Sequence, residues 1–244
     1  MAQNDLQYLQ DLHNRAWQLL RVGRQQEAID LYTKCFEKSS KFIYLYNRGL
    51  AYLEAGNYES ALADFRLVAA NENPDFIADA YFIYQGVCHW YLNQPSEVLP
   101  IWEKGLAAPY TDAAGGVELP ALLLYGAERL HDLDYRKLAL RLLRKHARRK
   151  LQGWPGPIVP FLLGKTDVEV LQQNAQATPS DILRSRWQCQ ADFYIALHAL
   201  REGDRDLFRV YMKRCAENPY GYHETEYYLA HWELAHNFPD PAFG

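Results

Sequence analysis

The four cysteines of this 244-residue sequence, Cys35, Cys88, Cys189 and Cys215, include no C-x-x-C pair, and none lies near a histidine at metal-ligand spacing. That excludes the usual sequence forms of a zinc site or a redox dithiol and leaves reduced core thiols as the reading. No apolar run approaches the ~20 residues that a bilayer-crossing helix needs. No stretch alternates apolar and polar residues with period two over any length, so essentially no sheet is expected. Neither of the glycine-rich phosphate loops, G-x-x-x-x-G-K-[ST] or G-x-G-x-x-G, occurs, nor does the G-x-S-x-G of a nucleophile elbow. The first residues, MAQNDLQYLQDLHNR, lack a basic start followed by an apolar stretch. No signal peptide is expected, and a cytoplasmic location follows.

What is present is apolar and aromatic. Hydrophobic residues make up 49% of the chain, which excludes a disordered protein. Tyr (18) and Trp (6) supply large flat side chains suited to helix packing and to recognition surfaces. The net charge of −4 is too mild to select a class of partner.

Internal repetition is the strongest signal. The segment from Leu9 to about Ser40 aligns without gaps on that from Phe42 to about Pro74. Leu12 falls on Leu45, Ala16 on Gly49, Leu19 on Tyr52, Gly23 on Gly56, Ala28 on Ala61 and Tyr32 on Phe65, each pair 33 residues apart. The second unit reads as a helical hairpin. Its first helix, 42–55, sets Leu45, Gly49 and Tyr52 on one face, and Gly56-Asn57 stops it. A helix over 58–70 then packs Ala61, Phe65 and Val68 back, and Pro74 ends the unit. One such hairpin leaves a face uncovered, so the units must stack.

This pattern resembles the tetratricopeptide repeat, most closely in YNRGLAYLEAGNYESALADF, Tyr46–Phe65. The resemblance implies an all-α solenoid of helical hairpins with a C-terminal capping helix, and a non-catalytic role in binding proteins. A third unit keeps Gly86 and Trp102 but has Val98 and Gly105 for the family's alanines, with Pro95 in the turn. A further unit, Cys189 to Asn218, keeps Gly203-Asp204 at its turn. Phe208 stands there where alanine is usual, so that hairpin is expected to splay or shift register. The organisation expected is an N-terminal repeat lobe over 1–110 and a hairpin around Gly126 with a basic helix over 111–150. A Pro/Gly loop with connecting helices over 151–180 separates two lobes, and a repeat-like hairpin with its cap fills 181–244. The order Trp154–Pro157, Phe161–Lys165, the Phe193–Asp204 helix and turn, and a closing helix is similar to the C-terminal half of bacterial NlpI-like repeat lipoproteins. That resemblance covers about residues 150–236 and implies a dimeric adaptor that docks other proteins. The signal peptide and lipidation cysteine of those proteins are not found here.

Three features are candidate sites. The first helix of each repeat lines the concave face in this family, which places His13, Trp17, Tyr46, Leu50, Ile83, Val87 and Trp90 in an aromatic, apolar groove. Such a groove accepts an amphipathic helix or an extended apolar segment, unless the chain fills it itself. It lacks the Lys and Asn residues of repeat proteins that clamp a C-terminal carboxylate. The second feature is the run 136–150, with eight cations and no acid: Arg136, Lys137, Arg141, Arg144, Lys145, Arg148, Arg149 and Lys150. Leu138, Leu142 and Leu143 are expected to form its apolar face. The run fits a solvated face favoured by the helix dipole, or a contact for an acidic protein, with nucleic acid and an anionic membrane as the remaining readings. The third is His223, Glu224, Glu226, His231, Glu233 and His236. Tyr227 stands where a zinc-protease helix needs its second histidine, and His223 and His231 are two turns apart. These are read as exposed polar residues of a capping helix, not a metal site. The Gly115-Gly116 pair reads as a tight connector.

The expectation is therefore a protein-binding scaffold or adaptor that uses no cofactor and no metal. Its partner is another protein or peptide, not nucleic acid or membrane, and a homodimer stays open. An immunity-type inhibitor of a cognate toxin or enzyme is the alternative among binding proteins. An enzyme subunit with an unrecognised site is the alternative of another class.

Overall fold

The computed structural model describes residues 3–149 and 153–236. They form thirteen α-helices and two short 3-10 turns, and no strand; one isolated bridge joins Ala78 and Tyr110. No described helix is long and apolar enough to cross a membrane. The chain divides into two compact units. Unit 1 comprises residues 1–94 with 107–110, and unit 2 comprises 95–106 with 111–244. The cut therefore passes through the third expected repeat, and the Pro/Gly loop expected to separate two lobes lies inside unit 2.

Unit 1 holds α1 (Gln3–Arg21), α2 (Gln25–Ser39), α3 (Phe42–Glu54), α4 (Tyr58–Asn71) and α5 (Ala80–Tyr91). Each helix packs on the next in sequence. The α3–α4 hairpin shows why the repeat residues recur. Gly56 has φ +74°, a left-handed turn that a side chain would strain. Asn57 then caps α4 by accepting from the Ser60 amide at 3.4 Å. In α3, Gly49 allows the Phe65 ring of α4 to lie against bare backbone. A Cβ there would sit 2.7 Å from Phe65 Cε1. Across the hairpin Arg48 grips Asp64 with two bonds of 2.7 Å and donates a third, of 3.0 Å, to Thr33.

Unit 2 holds α6 (Pro95–Gly105), α7 (Glu118–Arg129), α8 (Leu133–His146), α9 (Ile158–Leu162), α10 (Val168–Ala175), α11 (Asp181–Arg201), α12 (Arg205–Ala216) and α13 (Thr225–Ala235). Gly126 is not at a turn. It sits within α7, where a Cβ would meet Leu99 and Trp102 of α6 at 2.8 and 2.9 Å. The turn of that hairpin is at 130–132, and Asp132 caps α8 through the Asp134 and Tyr135 amides. The expected apolar face of α8 is displaced. Ala139, Leu143 and His146 are its buried residues, while Leu138 and Leu142 are half-buried at the margin. The α11–α12 hairpin does not splay. Phe208 is fully buried there, and Cys189 and Cys215 bring their sulfurs to 3.2 Å across it. α11 counts Ala191, Ala196 and Ala199 among its buried residues.

Candidate functional site

The expected groove is largely occupied by the protein's own packing. Ile83, Val87 and Trp90 are buried in α5 and cannot receive a partner. Tyr46 is half-buried, with its ring centroid 5.5 Å from Tyr81, 5.9 Å from Phe65 and 6.0 Å from Tyr84. It belongs to the aromatic core of unit 1. His13 stacks obliquely on Tyr32 at 5.8 Å and lies 6.3 Å from Tyr44, and burial lowers its pKa. Trp17 and Leu50 are half-buried. The physical reason is the aromatic content of the repeat. Large rings at the inner positions reach one another across α3, α4 and α5 and close the space that small or polar residues would leave open.

The carboxylates of the C-terminal cluster are corrected more sharply, while His231 and His236 are exposed as expected. Glu226 and Glu233 are 0% and 1% exposed and Glu224 is 8%, so α13 is a core helix and not a solvated cap. Each carboxylate is held inside the unit. Glu233 accepts from the Tyr125 hydroxyl at 2.7 Å and from Arg129 Nε at 2.6 Å. Glu224 pairs with Arg186. Glu226 accepts from the Gln190 amide at 3.3 Å, while the same Gln190 accepts from the Trp154 indole. Burial pushes Glu224 up to about 8 against the pull of Arg186. Burial likewise raises Glu226 and Glu233, and takes Asp192 of α11 up to about 6. Among the described residues, no three His, Cys, Asp or Glu side chains are grouped to hold a metal.

Two other features of unit 2 are open to solvent and adjoin one another. The first is the basic run. Arg136 is partly shielded and pairs with Glu128 at 2.8 Å, and Lys137 pairs with Asp134 at 3.1 Å. Arg141, Arg144, Lys145, Arg148 and Arg149 are exposed and have no ion pair among the described residues. Lys150 lies outside the described residues. At 100° per residue, Lys137, Arg141, Arg144 and Lys145 fall on one stripe of α8 opposite the buried Ala139 and Leu143. Arg148 and Arg149 follow the helix end at His146.

The second is a cavity of about 540 Å³ where the end of that run meets the loop before α9 and the faces of α10 and α11. Trp154 and Trp187 form one wall, stacked at 5.6 Å and 12°. Pro157, Pro160, Val170 and Ala177 add apolar surface. Arg149 and Lys165 stand on its lining, and no described lining residue is a carboxylate. Thr166 also lines it; its hydroxyl is buried, without a hydrogen-bond partner among the described residues. This size and mixture suit a small ligand or an anchoring side chain.

The sequence reading found the cations but missed the cavity. Its signals were present in the Trp-Pro-x-Pro stretch at 154–157, in Lys165 and in Trp187. They are scattered over 34 residues, 154 to 187, and converge only in three dimensions. No protein-family model matches the chain, and no match is found among curated proteins.

Proposed function

We propose that this chain is a non-catalytic repeat protein of the tetratricopeptide type, an adaptor that binds a partner protein. The reading rests on one observation above all, the exposed cations Arg141, Arg144 and Lys145 of α8, continued by Arg148 and Arg149 and without an ion pair among the described residues, in a chain whose net charge is −4. Guanidinium and ammonium groups held apart from carboxylates are solvated at a cost in self-repulsion, and an acidic surface relieves it. The 33-residue recurrence of the α1–α2 and α3–α4 hairpins supports the repeat type. The engagement of the buried carboxylates by Arg186, Tyr125, Arg129 and Gln190 supports a binding role over a catalytic one.

Chemical cross-linking in the native host, with the fourfold reversal Arg141→Glu, Arg144→Glu, Lys145→Glu and Arg148→Glu as comparison bait, tests this. A stoichiometric partner retained by the wild-type protein and lost by the variant is expected. Equal recovery by both baits, with both baits equally helical, would refute the reading.

A further inference from the structure

The cavity walled by Trp154 and Trp187 shares its basic edge with the α8 stripe, and the two together define more than either alone. We propose that they form one docking site for an acidic, extended segment of a partner protein, with an apolar or aromatic side chain of that segment in the cavity. This deepens the adaptor reading and rests on it.

Charge complementarity selects the acidic character. Arg149 and Lys165 stand at the cavity, Arg148 lies just past the end of α8, and Arg141, Arg144 and Lys145 continue along the helix, all six exposed and without an ion pair among the described residues. The extent selects a chain over a free small anion. At 1.5 Å rise per residue, Arg141 to Lys145 spans roughly 6 Å of α8, and Arg148 and Arg149 extend the row of cations past the helix end at His146 to the cavity lining. A single small anion neutralises the cavity edge and leaves the rest unpaired. The cavity selects a side-chain anchor: its two indoles and two prolines offer apolar walls.

Two other macromolecular occupants fit less well. Single-stranded nucleic acid needs successive accessible rings on which bases stack. Here the indoles stack on each other, Trp154 is 7% exposed, and its N–H is committed to Gln190. An anionic membrane needs an amphipathic helix with its apolar face free. The apolar face of α8 is spent on the core through Ala139 and Leu143.

The test is selection of displayed random dodecapeptides on the whole protein, followed by calorimetry of the enriched peptides at two salt concentrations. Enrichment of peptides with several acids around one aromatic or large apolar residue is expected. Their affinity should fall at least tenfold in the double reversal Arg149→Glu with Lys165→Glu and at least tenfold in Trp187→Ala. Added salt should weaken binding to the wild type more than to the reversal variant. The two exposed reversals leave the packing intact, so the test holds even if Trp187→Ala impairs folding. Failure to enrich acidic peptides overturns the proposal, as do peptides that bind the double reversal within threefold. So does tighter binding of oligouridylate or of phosphatidylserine vesicles by the same cations. A host partner that α8 reversal releases but the cavity variants retain would leave the adaptor reading standing and the cavity inference refuted.

Discussion

Replacing Gly49 with alanine asks whether the repeat residues recur for the packing reason assigned to them. The added methyl would lie 2.7 Å from Phe65 Cε1 and 3.0 Å from Cζ, well inside ordinary carbon contact. Phe65 has little room to retreat. It is fully buried, with the Tyr84 ring stacked on it at 5.4 Å and Tyr46 at 5.9 Å on another side. Overpacking of this kind costs about 1–3 kcal/mol. Alanine also gains about 1 kcal/mol over glycine in a helix interior. With the contact this short and the ring this confined, the upper part of the range applies, and a net loss of about 1–2 kcal/mol is expected. For a chain of this size that lowers the midpoint by roughly 2–8 °C.

Thermal unfolding followed by circular dichroism at 222 nm measures it, with urea titration giving the free energy. Trimming the opposing ring separates the clash from other causes. Phe65→Leu alone should be destabilising, but the double variant should be less destabilised than the sum of the two singles. A Gly49→Ala protein as stable as the wild type, or more so, would mean that Phe65 does not press on α3 at Gly49. The hairpin register would then be wrong.

Tyr46→Glu places a carboxylate among Tyr81, Phe65 and Tyr84, so it should lower the melting temperature markedly instead of selectively blocking a partner; an unchanged melt would show an open groove. Stability should fall as pH rises from about 6.5 to 8. In that window Glu224, pushed up to about 8, still holds a proton that the unfolded chain has released, so the native state binds more protons. Burial depresses His13, His146 and His231, and these act in the opposite direction only below about 6.5. Calorimetry across that range should show the slope, Glu224→Gln should flatten it, and a midpoint that climbs with pH would refute the assignment.

The helical hairpins were legible because their determinants are local. Gly56-Asn57 ends one helix and starts the next within two residues, and the partner of Gly49 lies only sixteen positions away in the same hairpin. The basic run was legible for the same reason, since a stripe of cations on one helix is a property of one helix. The burial of Ile83, Val87 and Trp90 was not legible because position in a repeat says which way a residue points, not how large its neighbours are. Tyr46, Tyr81 and Tyr84 each suit a recognition surface, yet together they fill the surface they would have lined. The cavity depends on where a loop of prolines and glycines returns to α11, and no periodicity encodes that.

The buried acids of α13 show a different kind of illegibility. Glu224, Glu226 and Glu233 sit in a segment whose composition reads as a solvated end, and their burial is sustained by partners that lie far off in sequence. Arg186 is 38 residues from Glu224, and Tyr125 is 108 residues from Glu233. A well-packed apolar helix would serve stability as well or better, because desolvating a carboxylate offsets much of what its partners return. Such contacts contribute selectivity. An α13 docked one residue out of register would bury Glu233 away from Arg129 and Glu226 away from Gln190, leaving unpaired acids in the core. The same Gln190 that receives Glu226 also fixes the Trp154 indole, so the register of α13 is tied to the wall of the cavity. The polar interior of unit 2 thus bears on the cavity wall indirectly, by disfavouring other arrangements of the helices that build it.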